Sequence, residues 1–128
     1  DQFLYFYRGQ YIRPDAWLEP DLSHPHNIIL DFWLRLGVLG VLLIVWIALA
    51  FYMTLLPIIR ALRAHDPLLS AVAMGAAGSM ANLLMHGLVD NSVFVNDLAY
   101  AFMLLIGLAS ALKIVAAQMF GAQSSAQP

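Results

Sequence analysis

The densest run of polar side chains in this 128-residue sequence is Ser23-His24-Pro25-His26-Asn27. Histidine is the side chain best suited to take up a proton near neutral pH, so His24 and His26 offer a general base. An apolar stretch carrying Asp31 and Arg35 follows directly. Asn27, Asp31 and Arg35 are spaced i, i+4, i+8, so on a helix they share one face and Asp31 can pair with Arg35. The same residues read as a helix start, with Ser23 or Asn27 as the cap and Pro25 near the first turn. The helix dipole disfavours imidazolium there, which keeps a ring neutral and able to accept a proton. Two readings stand side by side. One is a capped helix start with two interfacial histidines and a structural salt bridge. The other is a base beside an anion clamp, since guanidinium binds phosphate oxygens in a two-pronged fashion. Arg8 and Arg13, upstream, are suited to the same anionic ligand or to lipid head groups.

A second polar cluster, Asn82, His86 and Asp90, repeats the i, i+4, i+8 spacing and predicts one shared helical face. Such a face either holds membrane helices together or carries a proton relay, a substrate contact or the polar path of a transporter. Two good ligands do not make a metal site, and with no cysteine in the chain, thiolate sites, disulfides and cysteine nucleophiles are excluded. No serine-centred hydrolase elbow, phosphate-binding glycine loop or HExxH motif occurs.

The elements that must position these residues are membrane helices. Hydrophobic residues make up 62% of the chain and charged residues 11%, against roughly a quarter charged in a soluble domain. Eight of the fourteen charges fall within the first 35 residues. Charge-free runs cover Leu36 to Ile59 and Pro67 to Val89, and a third, Leu98 to Phe120, is interrupted only by Lys113. Each is long enough to cross a hydrocarbon core about 30 Å thick. The expected fold is therefore all-α and polytopic. Part of an outer loop occupies residues 1–27, three transmembrane helices lie at about 28–59, 67–89 and 97–117, and a disordered cytoplasmic tail fills 118–128. The second helix is rich in small residues that let neighbouring backbones approach. Arg35, counted along the first helix, lies some two turns inside it, a depth at which a charge needs a partner or a water-filled cavity.

Arg60, Arg63 and His65 sit in the first link, whereas the second carries Asp90 and Asp97 and no Lys or Arg. The positive-inside rule puts the first link in the cytoplasm and the second outside, together with residues 1 to about 27. Phe3, Tyr7 and Tyr11, at i, i+4, i+8, predict a short aromatic helix at the bilayer surface or lining a cleft for a lipid-linked substrate. A net charge of −2 with no basic stripe excludes nucleic-acid binding by phosphate neutralisation. The non-Met start and the absence of a signal peptide suggest a piece of a larger membrane protein, cut inside an extramembrane loop.

The segment from Ser23 to Gly40, with His26-Asn27, Leu30, Gly37 and Gly40, resembles the O-antigen ligase and O-antigen polymerase family, in which a histidine–asparagine pair ends the large periplasmic loop. His86-Gly-Leu-Val-Asp-Asn-Ser92 is similar to the segment at the outer end of that family's next helix, and Asp1 to Tyr7 to its aromatic loop stretch. The resemblance runs to about residue 115. It implies a multi-pass glycosyltransferase of the bacterial inner membrane, acting at the periplasmic face in polysaccharide assembly. The donor is a polyprenyl-diphosphate-linked glycan, the acceptor a hydroxyl of a lipid or glycan, and neither metal nor cofactor is needed. It assigns His26 as the catalytic base with Asn27 beside it, and loop arginines to the diphosphate, with Arg8, Arg13 and Arg35 competing for that part. His24, Asp31, His86 and Asp90 complete the expected substrate-binding set. A non-enzymatic transporter or structural subunit with a His86/Asp90 path is the alternative.

Overall fold

The structure, a computed structural model, describes residues 5–11, 25–90, 93–94 and 96–125. Among them there is no strand. A single π-helical turn, Tyr7–Tyr11, is followed by three long helices: α1 (Ile28–Leu62), α2 (Pro67–Gly87) and α3 (Asn96–Ser125). All three are long and apolar enough to cross a membrane. The chain is an all-α polytopic membrane protein, as its charge-free runs predict.

The three helices pack against one another through seams of 3- and 4-residue spacing. α1 buries Ile44, Phe51, Leu55, Ile58 and Leu62, and α3 buries Phe102, Ala109, Leu112 and Ala116. α2 buries Ser70, Ala73, Ala76, Met80, Leu83 and Gly87. A stripe repeating every seven residues winds slowly enough to stay against its neighbours over a whole span. Only part of α2's run of small residues lies in this seam. Gly75 and Gly78 face open space, where an added Cβ would meet nothing within 4 Å. Trp46, Met53, Met74, Met103 and Leu104 lie on the outside, more than half exposed. In water such a surface would drive association; in a bilayer it is the lipid-facing side.

α1 and α2 run antiparallel. The Tyr52 hydroxyl donates to the Ala77 carbonyl at 2.9 Å, and the Ser70 hydroxyl to the Ile59 carbonyl at 3.4 Å. In the tight link between them the N–H groups of His65 and Asp66 both bond the Leu62 carbonyl, at 3.0 and 2.8 Å. Asp66 then caps α2, accepting from the Leu69 N–H at 2.9 Å, with Pro67 in the first turn where its missing N–H is harmless.

Two features depart from the expected spans. The first is inside α1, where Gly37 adopts φ 65°, ψ −156°, a conformation essentially restricted to glycine. The chain bends so sharply there that a Cβ on Gly40 would lie 2.5 Å from the Phe32 carbonyl oxygen and 2.7 Å from Leu36 Cβ. In a straight helix Phe32 and Gly40 would be about 12 Å apart along the axis. Residues 28–36 therefore form a short arm folded back on the span. Ile28 and Ile29 line one apolar pocket with Ile44, Val45 and Ala48. The span proper is residues 38–62, still about 37 Å of helix. Arg35 is thus carried on the arm and is not two turns down a continuous helix.

The second departure is at the far end, where α3 continues to Ser125. Of the tail expected to be disordered over 118–128, residues 118–125 are helical, and 126–128 lie outside the described residues. Met119 and Phe120 pack on the core, and the Phe120 ring meets His65 edge-to-face with centroids 5.2 Å apart. Apolar contact of Met119 and Phe120 anchors the start of the segment that composition alone reads as a loose end. The described part of the expected aromatic helix, Tyr5 to Tyr11, is helical, with the π turn over Tyr7–Tyr11, and Phe3 lies outside the described residues.

Candidate functional site

The site is built at one end of the bundle, where the α1 arm begins and α2 stops. Asn27 is the N-cap of α1: its backbone is extended (φ −162°, ψ 122°) and its side-chain oxygen accepts from the N–H groups of Ile29 and Leu30, each at 3.0 Å. The other end of the same amide donates to the Leu88 carbonyl at 2.8 Å. One side chain therefore satisfies two orphan amides of the arm and ties it to the end of α2.

α2 stops at Gly87 in a nest of turns. The N–H of Leu88 bonds the Met85 carbonyl at 3.2 Å, and those of Val89 and Asp90 share the His86 carbonyl at 3.0 and 2.9 Å. These bonds hold Asp90 past the helix end, and its carboxylate meets His26: Nδ1 to Oδ1 is 2.8 Å. A carboxylate only accepts, so Nδ1 carries the hydrogen and, in the neutral ring, Nε2 carries the lone pair. Both side chains are about half exposed, 48% and 45%. At that exposure the pair adds little to stability; its consequence is the orientation and tautomer of the imidazole.

Arg35 donates from Nε to Asp31 Oδ1 at 2.7 Å, the i, i+4 pairing that the spacing predicts. Asp31 is 1% exposed and Arg35 remains partly open to solvent. A carboxylate buried this deeply must be paired to be tolerated, and Arg35 supplies the pairing. The guanidinium also lies over the ring of Phe94, 4.5 Å from its centroid, and Phe94 in turn packs on Phe32 at 4.9 Å. Three residues beyond α2 therefore meet the arm and its entry: Leu88 on Asn27, Asp90 on His26, and Phe94 on Arg35.

The expected second cluster is divided. Asn82 and His86 stay on α2 and line a cavity of about 590 Å³ between α2 and α3, with Gly75, Gly78 and Ser79. Asp90 leaves that face because the helix has already ended, and its side chain joins His26 instead. Arg13 and His24 lie outside the described residues, as does the side chain of Arg8. Phe94 and the Leu88 carbonyl are site members that residue types did not single out. The one signal for Phe94 was a lone aromatic residue in the short Val-Phe-Val stretch of the link after Asp90. Among the described residues no three His, Asp or Glu side chains gather in a metal-binding group.

Chemically, the arrangement presents an imidazole oriented by a carboxylate just before the arm and a guanidinium paired with another carboxylate on it. The first suits proton uptake and the second suits anion binding. Comparison with known proteins finds no match to this chain: no family model, no curated protein and no solved structure.

Proposed function

We propose that this chain belongs to a membrane glycosyltransferase of the O-antigen ligase and polymerase type, working at the outer face of a bacterial inner membrane. The observation that carries the reading is the His26–Asp90 contact at 2.8 Å, which fixes the imidazole with its lone pair on Nε2. In the transfer, an acceptor hydroxyl attacks the anomeric carbon of a polyprenyl-diphosphate-linked glycan. The new glycosidic C–O bond forms as the bond to the diphosphate breaks, and Nε2 of His26 takes the hydroxyl proton. The diphosphate leaves with the electron pair, and a cation stabilises its developing charge. Arg35, whose Nε donates to Asp31, takes that part in this reading. The two faces of the reaction then sit on the arm and its entry, at the membrane interface where a lipid anchor keeps the donor.

The test is a transfer assay in lipid-reconstituted protein with amounts matched. His26→Ala is expected to lower transfer by about 10²–10⁴, the usual worth of a general base. His24→Ala should lower it much less. Near-normal transfer by His26→Ala would remove His26 as the base, and a dead His24→Ala with an active His26→Ala would move the base to His24.

A further inference from the structure

The outward side of α1 carries a second stripe, nearly opposite the buried one of Phe51, Leu55, Ile58 and Leu62. Leu49, Met53, Leu56, Arg60 and Arg63 recur at alternating intervals of four and three residues, so they line one side of the helix. All five are exposed. Arg63 extends the stripe because its backbone is still helical (φ −55°, ψ −34°), with its N–H on the Ile59 carbonyl at 3.1 Å. Leu49 to Arg60 covers about 16 Å of helix, close to half of a hydrocarbon core about 30 Å thick. The apolar part is therefore as long as one leaflet, and the two arginines stand where the head groups of that leaflet lie. Among the described residues no carboxylate is within ion-pair distance of either guanidinium. The next carboxylate along the chain, Asp66, caps α2 by accepting from the Leu69 N–H at 2.9 Å. A further membrane helix suits this face poorly. Close helix contacts in lipid use small residues, whereas the stripe offers leucine, methionine and arginine, and a partner helix would have to bring acids to the arginines.

We propose that this stripe is a binding lane for an anionic phospholipid, with Arg60 and Arg63 on its phosphate and an acyl chain along Leu56, Met53 and Leu49. Guanidinium groups match phosphate oxygens, and three apolar side chains in line match a hydrocarbon chain. The lane lies at the opposite end of the bundle from His26 and does not depend on the glycosyltransferase reading.

The test is native mass spectrometry of the detergent-purified protein titrated with phosphatidylglycerol, phosphatidylcholine or water-soluble glycerol 3-phosphate. Phosphatidylglycerol should bind more tightly than phosphatidylcholine, and glycerol 3-phosphate at equal concentration should not compete with it. From the usual worth of one basic residue at an anionic lipid surface, Arg60→Gln and Arg63→Gln should each weaken phosphatidylglycerol about 5-fold and the double variant about 30-fold. The double variant should then bind the two lipids alike. Met53→Ser should weaken phosphatidylglycerol by interrupting the lane. Lys113→Gln, which removes an exposed cation of α3 two turns before Phe120, should leave it unchanged. Wild-type affinity in the double arginine variant would overturn the lane. Equal weakening by Lys113→Gln would replace it with diffuse attraction to the charge at this end. Effective competition by glycerol 3-phosphate would replace it with a site for free phosphate. Because the chain has no cysteine, Met53→Cys gives one more check. Disulfide-linked pairs that form equally with and without phosphatidylglycerol would put a second copy of the chain on this face in place of the lipid.

Discussion

Asn27 does two things with one amide, and two substitutions separate them. Its oxygen caps the arm by accepting from the Ile29 and Leu30 N–H groups, and its nitrogen donates to the Leu88 carbonyl 61 residues away. Asn27→Ala removes both. Losing a cap of this kind costs about 0.5–2 kcal/mol, and losing one hydrogen bond about 0.5–1.5 kcal/mol. Because the tether is exposed, the lower half of each range applies, giving about 1–2 kcal/mol in all. Asn27→Asp keeps the acceptor and improves it, since a carboxylate at a helix N-terminus meets the dipole favourably. It removes the donor and sets a carboxylate against the Leu88 carbonyl. Amide hydrogen exchange in nanodiscs reads both effects residue by residue. In Asn27→Ala, Ile29 and Leu30 should exchange about 5- to 30-fold faster, the rate equivalent of 1–2 kcal/mol of local opening. In Asn27→Asp these two amides should stay protected, whereas the Val89 and Asp90 amides exchange faster because the arm no longer bears on the end of α2. Loss of protection at Ile29 and Leu30 in Asn27→Asp as large as in Asn27→Ala would refute the division of labour. The amide would then act only as a single unit.

Gly37→Ala places a Cβ on a backbone with φ 65°, ψ −156° and should destabilise the protein by about 1–3 kcal/mol, read as a lower unfolding temperature. Gly40→Ala should cost a similar amount for a different reason, the 2.5 Å approach of the new Cβ to the Phe32 carbonyl oxygen. A Gly37→Ala protein as stable as the wild type would argue for an unbroken α1. The chain has no cysteine, so single cysteines at Ala64 and Val89, beyond opposite ends of α2 and both exposed, report topology cleanly. A membrane-impermeant thiol reagent added to whole cells should label Val89→Cys and spare Ala64→Cys; the reverse pattern would invert the orientation.

What the residue pattern by itself determined is what adjacent residues determine. Three long apolar runs, two charge-free and one broken only by Lys113, are membrane helices, because each can satisfy its backbone polar groups internally and place apolar side chains in lipid. Asp31 pairs with Arg35, because one helical turn brings those groups together wherever the helix goes; the cap was open between Ser23 and Asn27 until the structure put it on Asn27. The rest was decided by packing. Nothing in the spacing of His26 and Asp90, 64 residues apart, says that they meet; that follows from α2 ending at Gly87 and from Asn27 tying the arm to Leu88. The face predicted for Asn82, His86 and Asp90 was sound as helical geometry but required a helix longer than the one that forms. Gly37 was the least legible of all, since glycine is common inside membrane helices. The Gly37 backbone, the close approach of Gly40 to Phe32 and the packing of Ile28 beside Ile44 show that the chain turns back there, and that turn carries the histidine, the buried carboxylate and the arginine to one end of the bundle, where Leu88, Asp90 and Phe94 hold them.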